Sequence, residues 1–286
     1  KAVIYTDTIQ WIVLLSGLLF LGIPFAYVKL GGWEIIKASL PASHFYLFNI
    51  SWVTMVNWAF AIIPIWFIAM TLYQRVYATK NVAEAKKAFF IAGVFEYPIM
   101  AFTGIILGML ARVAYPESEA ESALPMMLNN VLPIGIAGFV LASYFSAVMS
   151  TADSCLIAAS GNVENDILKK ISNKKGGLIQ RSIIVTVILG VISFLLASWF
   201  TSVLDVVLQS YAFMVSGLLV PTLVGYFSKR PNIPGAFVSM LGGGGLTLTL
   251  IFLKTPLPYG LDPTIFGIIA SFLLYFGTKI LVWDDV

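Results

Sequence analysis

Residues 134–158 read IGIAGFVLASYFSAVMSTADSCLIA, twenty-five residues with a single charged side chain, Asp153. An α-helix rises 1.5 Å per residue, and the hydrocarbon core of a bilayer is about 30 Å thick, so about 20 apolar residues cross it once. The run is too long for a strand. In lipid its backbone polar groups must be satisfied within the segment, which a helix does. Working outward, the same kind of run recurs at 6–28, 50–73, 88–114, 183–200, 204–227, 235–253 and 263–282. That makes eight expected spans of an all-α, multi-pass integral membrane protein. Composition agrees. Of 286 residues 59% are hydrophobic and 11% charged, against about 25% charged in a soluble domain, and mean hydropathy is +0.92. Lipid is therefore the solvent and the bilayer the first partner.

Charge and cysteine content exclude other classes. The net charge of +3 and the absence of a basic stripe speak against a nucleic-acid partner. One cysteine, Cys155, excludes an internal disulfide, and the one histidine, His44, cannot build a His-rich metal site. The sequence begins at Lys1 and enters an apolar run within a few residues, so it reads as a piece of a longer chain and not as a signal peptide.

Lys and Arg mark the cytoplasmic loops. Arg75, Lys80, Lys86 and Lys87 follow the second span. Lys169, Lys170, Lys174, Lys175 and Arg181 follow the fourth, and Lys229 and Arg230 the sixth. The loop at 116–123 carries Glu117, Glu119 and Glu121 without a basic residue and is expected outside. The first span then runs outward and the fourth inward. Pro64 should kink the second span. Gly242 to Gly245, four glycines in a row, read either as close helix packing or as a hinge.

An ionisable side chain at membrane depth is a functional hypothesis. Asp7 lies in Tyr5-Thr6-Asp7-Thr8-Ile9-Gln10, within a turn of the start of the first span, where a carboxylate also suits the helix dipole. Asp153 lies roughly 28 Å along the fourth span from its outer end, at a depth similar to Asp7. Ala147, Ser150, Thr151 and Ser154 stand at i, i+3, i+4 and i+7, with Ser143 on the same face and Asp153 on its edge. Such an oxygen wall suits a hard cation. The same hydroxyls also serve structure by bonding to carbonyls one turn back. Glu96, in Gly93-Val94-Phe95-Glu96-Tyr97-Pro98, reads as a substrate ligand, a proton relay or half of a structural pair. Asn57, Trp58 and Trp66 in the second span and Gln209 and Tyr211 in the sixth complete the polar and aromatic candidates.

Three stretches together resemble the sodium:solute symporter family. Tyr5 to Gln10 is similar to the start of its core helix five, Gln74-Arg75-Val76-Tyr77-Ala78-Thr79-Lys80 to the segment after core helix six, and Val148-Met149-Ser150-Thr151-Ala152-Asp153-Ser154, running on to Asp166-Ile167, to core helix eight. The resemblance implies a LeuT-type bundle of two inverted five-helix repeats. Residues 1–286 would form one transporter domain, from core helix five onward, without the first four core helices. It implies Na+ as the coupling ion and a small organic solute as cargo, carried across the plasma (cytoplasmic) membrane, and no enzymatic activity. Position by position it implies a sodium site at the Ala147 carbonyl and the Ser150 and Thr151 hydroxyls. A second would lie at Asp7, Ser150, Ser154 and the position of Asp153, where some members carry serine and the choline branch aspartate. Gln209 matches a substrate-contacting glutamine of the sugar members, and Trp66 a tryptophan near their substrate. Glu96 stands where those members have lysine, which speaks against a sugar. Asn57 joins the substrate-binding candidates. Two other readings remain at this point: a membrane enzyme with Asp7 and Asp153 as an acid pair, and a channel or sensor on the same scaffold.

Overall fold

The computed structural model describes residues 2–46, 48–171, 178–199, 202–254 and 256–281. Lys174 and Lys175 of the expected basic loop, and the expected span ends at Phe200 and Val282, lie outside them. Seven helices are long and apolar enough to cross a membrane: α1 Ile4–Lys29, α3 Trp52–Ala78, α4 Val82–Ala114, α6 Ile134–Ile171, α7 Ile179–Ala197, α8 Val203–Phe227 and α9 Ile233–Leu253. The eighth expected span is α10, Pro263–Leu281, whose apolar stretch Pro263–Thr278 is shorter. Two amphipathic helices were not expected from hydropathy, α2 Gly32–Ser39 and α5 Ala120–Asn130. α4 and α6 extend well past their apolar cores, so charged residues continue the helix once its ladder is started.

The chain divides into two compact units, 1–49 with 71–199 and 50–70 with 200–286. In the first, α1 packs antiparallel on α6, α4 packs on α5, and α7 packs on α6. Leu14, Leu18, Leu107, Met127, Leu128 and Val140 fill its core. Gly17 makes the close approach of α1 to α6 possible, because a Cβ there would meet Ser143 Oγ at 1.8 Å. Gly22 faces Val140 five residues further along. These two contacts fix the register of the pair, and from Gly17 ten residues back along α1 match eleven forward along α6. That register carries Asp7 to the level of Ser154.

In the second unit, α8, α9 and α10 pack together, with the first part of α3 against α8 and α10. The glycine run serves packing. α9 is continuous across it, and a Cβ on Gly243 would meet the Ser216 carbonyl oxygen at 2.4 Å and the Gly267 carbonyl oxygen at 2.9 Å. Ser216 and Thr247 are buried at this contact. Thr247 Oγ1 and Ser216 Oγ lie 2.8 Å apart, and Ser216 also bonds to the Ala212 carbonyl at 2.7 Å, as hydroxyls do between tightly packed membrane helices.

α3 is broken rather than kinked. It runs as Trp52–Ile62, Ile65–Ile68 and Met70–Ala78. Pro64 lacks the N–H that would continue the ladder. A second interruption falls at Ala69, whose ψ of 115° is extended.

Candidate ion site

Asp7 sits in the first turns of α1, Ser154 in the later part of α6, and Arg75 in the last piece of α3, all in the first unit. Arg75 Nη2 donates to Asp7 Oδ2 at 2.9 Å and to Ser154 Oγ at 3.0 Å. One nitrogen therefore links two residues 147 positions apart in sequence, and their oxygens can be separated by no more than the sum of the two distances. Arg75 Nη1 donates to its own helix at the Thr71 carbonyl, 3.0 Å, which anchors the guanidinium at the helix end. Ser154 is buried at 5% exposure. The Asp7 side chain is 18% exposed and that of Arg75 42%.

The arrangement leaves acceptors unmet. Asp7 Oδ1 and Gln10 Oε1 are both inaccessible to solvent and have no hydrogen-bond partner. They stand three residues apart and so share a face of α1. Burying an oxygen acceptor without a donor costs on the order of 1–3 kcal/mol, and a cation removes that cost. A cavity of about 490 Å³ opens here, lined by Asp7, Thr8, Trp11, Arg75, Glu96 and Ser150 among others. Its walls thus combine two carboxylates, one guanidinium and hydroxyls. Glu96 also borders an apolar cavity of about 360 Å³ with Trp11, Phe95 and Met100. It lies at the end of the π-helical turn Ala92–Glu96, a device found often at functional positions.

The remaining expected ligands divide. Ser150 reaches the cavity, and its hydroxyl donates to the Ala147 carbonyl at 3.1 Å. Thr151 faces outward, and Asp153 is half-buried; neither lines the cavity. Ser143 bonds back to the Phe139 carbonyl at 2.8 Å and is buried against Gly17, a packing role.

The substrate candidates Asn57, Trp66 and Gln209 belong to the second unit. The Asn57 amide is committed on both sides: Nδ2 donates to the Gly260 carbonyl at 2.9 Å, and Oδ1 accepts from the Asp262 N–H at 3.0 Å. Asp262 in turn caps α10 through the Thr264 N–H at 2.8 Å. Asn57 therefore clamps the turn before α10. Trp66 and Gln209 are exposed, and the short helix carrying Trp66 packs on α8, which carries Gln209.

The sequence reading placed Arg75 in a basic loop and a family-like motif and Gln10 in another motif, but gave neither a role at the site. The available signal was position: both sit inside the two quoted motifs, one at the inner start of a span and one at the inner end of another.

The model of the sodium:solute symporter family matches residues 1–243. Solute carrier family 5 member 4 of Rattus norvegicus is 27% identical over 91% of this chain and 46% of its own length. The sodium/sialic acid symporter SiaT of Proteus mirabilis is 26% identical over 84% of this chain and 54% of its own. Sodium/glucose cotransporter 1 of Ovis aries is 24% identical over 85% and 44%. The chain spans about half the length of the curated relatives it matches. The solved structure of a Na+-coupled sialic acid symporter in a substrate-bound, outward-open state superposes with a TM-score of 0.73 at 23% identity, covering 98% of this chain and 62% of the other. The fold is therefore the expected LeuT-type helical bundle.

Proposed function

This chain belongs to the sodium:solute symporter family, and from that premise we propose that the protein couples sodium entry to uptake of a small organic solute by alternating access. Its family is one of carriers, and Asp7 has a guanidinium for a partner, so Asp7 and Asp153 do not serve as a catalytic acid pair. In this reading residues 1–286 act as one transporter domain in the plasma membrane.

The observation that carries the proposal is the seat of Arg75 Nη2 between Asp7 Oδ2 and Ser154 Oγ. A seat that holds one cation by a carboxylate and a hydroxyl, with two further oxygens unmet beside it, has the chemistry to hold sodium. Asp7, Ser150 and Ser154 form its wall, with Asp153 at the edge of that helix face. Ala147, Ser150 and Thr151 supply a neighbouring set of oxygens. Thr151 is exposed and does not line the cavity, and would complete its share of ligands with a further helix.

Arg75 gives the site a second state. A bare carboxylate at membrane depth is costly, so losing sodium leaves Asp7 in need of a positive charge. Arg75 supplies it on a tether, and sodium and the guanidinium exclude each other at Asp7 Oδ2. Glu96 lies on the same cavity and shapes its charge. Trp66 and Gln209 line the solute route, while Asn57 holds the turn that orders α10. The broken α3 supports this, since discontinuous helices build the sites of such carriers.

The test is solute uptake into proteoliposomes with sodium, potassium or no gradient. Uptake that needs a sodium gradient, and is lost in Asp7→Asn with the protein still folded, is expected. Uptake indifferent to sodium would overturn the reading.

A further inference from the structure

Two carboxylates line the ion cavity, and only Asp7 has a cation of its own. Glu96 lies fourteen residues after the start of α4 at Val82 and eighteen before its end at Ala114. It therefore sits at membrane depth, where an ionisable side chain calls for a partner. Among the described residues no hydrogen bond or ion pair engages its carboxylate. Arg75, the one cation among the described residues lining the cavity, is taken up by Asp7, Ser154 and Thr71. Glu96 is half-buried and open to a ligand from two sides, because it borders both the cavity of about 490 Å³ and the apolar one of about 360 Å³.

The smaller cavity decides which kind of cation suits it. Trp11 and Glu96 line both cavities and so form their shared wall. Behind them, Ala92, Phe95, Glu96 and Ile99 line the smaller cavity from one face of α4, at i, i+3, i+4 and i+7. Trp11 and Leu15, one turn apart on α1, line it from the other side. Glu96 is the only charged residue among those lining it. A bare metal ion needs several oxygen ligands, and this cavity offers one carboxylate. Its hydrocarbon walls favour a ligand that buries hydrocarbon of its own. The rings of Trp11 and Phe95 attract an ammonium through their π faces, and the carboxylate adds a charge-assisted hydrogen bond. The volume lies at the lower end of small-molecule sites, so the ligand is small.

We propose that Glu96 and Trp11, with the apolar cavity behind them, recognise the ammonium group of the transported solute, a small organic cation with a hydrocarbon or aromatic body. The inference rests on the transport reading above and narrows its solute to this class. The test is binding of phenethylamine to the full-length protein in nanodiscs at neutral pH, with and without sodium. Its uncharged match, phenethyl alcohol, and its anionic match, hydrocinnamate, are measured beside it. The amine is expected to bind at least tenfold more tightly than either match. Glu96→Gln should abolish that preference, and Trp11→Leu should weaken the amine about fivefold. Met100→Trp, which fills the cavity without touching the carboxylate, should exclude the amine, and it decides the matter if Glu96→Gln does not fold. An amine bound no better than its alcohol would overturn the inference. So would a preference that survives in folded Glu96→Gln, or amine binding undiminished in Met100→Trp. Sodium binding, followed in the same nanodiscs, separates this inference from the reading it rests on. Sodium held through Asp7 without any preference for the amine sinks the solute class alone. A Glu96-dependent amine preference that sodium does not alter keeps this site and sinks the coupling.

Discussion

Replacing Arg75 by glutamine should tighten sodium binding. Arg75 and sodium compete for Asp7 Oδ2, so removing the tethered cation removes the competitor. The magnitude follows from the geometry. A unit-charge pair about 4 Å apart at an effective dielectric of 20 is worth about 4 kcal/mol before screening. The Arg75 side chain is 42% exposed and meets Asp7 through a single 2.9 Å contact. Solvent and side-chain entropy reduce such a pair to about 1 kcal/mol. Sodium affinity from the cytoplasmic side should therefore rise about fivefold in Arg75→Gln, and by less in Arg75→Lys, which keeps the charge but loses the fork. The assay is solute binding titrated against sodium in inside-out vesicles, with thermal unfolding as the folding control. A sodium midpoint that stays put or moves upward in well-folded Arg75→Gln would refute competition and make Arg75 a strut that positions Asp7.

Three further outcomes are expected. Replacing Ser150 and Thr151 together by alanine should weaken sodium about 100-fold, at about 1.5 kcal/mol per lost hydroxyl, with solute affinity restored at high sodium; an unmoved sodium midpoint in folded protein removes both from the ion site. Asn57→Ala should cost about 1–2 kcal/mol and lower the unfolding temperature while leaving solute affinity in the folded protein unchanged. A loss of solute affinity at unchanged stability would make Asn57 a ligand instead of a clamp. Gly243→Ala should destabilise by about 1–3 kcal/mol, since backbone and not a flexible side chain meets the new methyl, whereas Gly245→Ala, with nothing within 4 Å, should be tolerated; equal thermal stability of the two would contradict the packing described here.

The membrane helices were legible because lipid leaves few choices. A run such as 134–158 must satisfy its own backbone, so its length and apolarity define a helix. The depth of Asp7 against Ser154 was legible for the same reason, since two spans of opposite direction bring their inner ends together. The breaks in α3 were only half legible. Pro64 announces the first. Ala69 announces nothing, because alanine is the best helix former, yet its ψ is 115°. The helices α2 and α5 are short and amphipathic, and α5 holds Pro125 in its interior; both read as loop.

Arg75 and Glu164 show why some charged residues stayed hidden. Charge counting treats a lysine and an arginine in a cytoplasmic loop alike, yet Arg75 turns back along its helix to reach a carboxylate 68 residues away. Glu164 has acidic Asp166 and basic Lys169 and Lys170 for sequence neighbours, which reads as a solvated helix end. It is nevertheless buried, in the π-helical turn Val163–Leu168, which no local pattern encodes. At Asp7 one interhelical contact sets the charge environment. A guanidinium fills that seat, whereas the Glu164 oxygens have no hydrogen-bond partner. Removing the competitor from Asp7 leaves the carboxylate intact, so the seat can be tested without touching the ligand oxygens themselves.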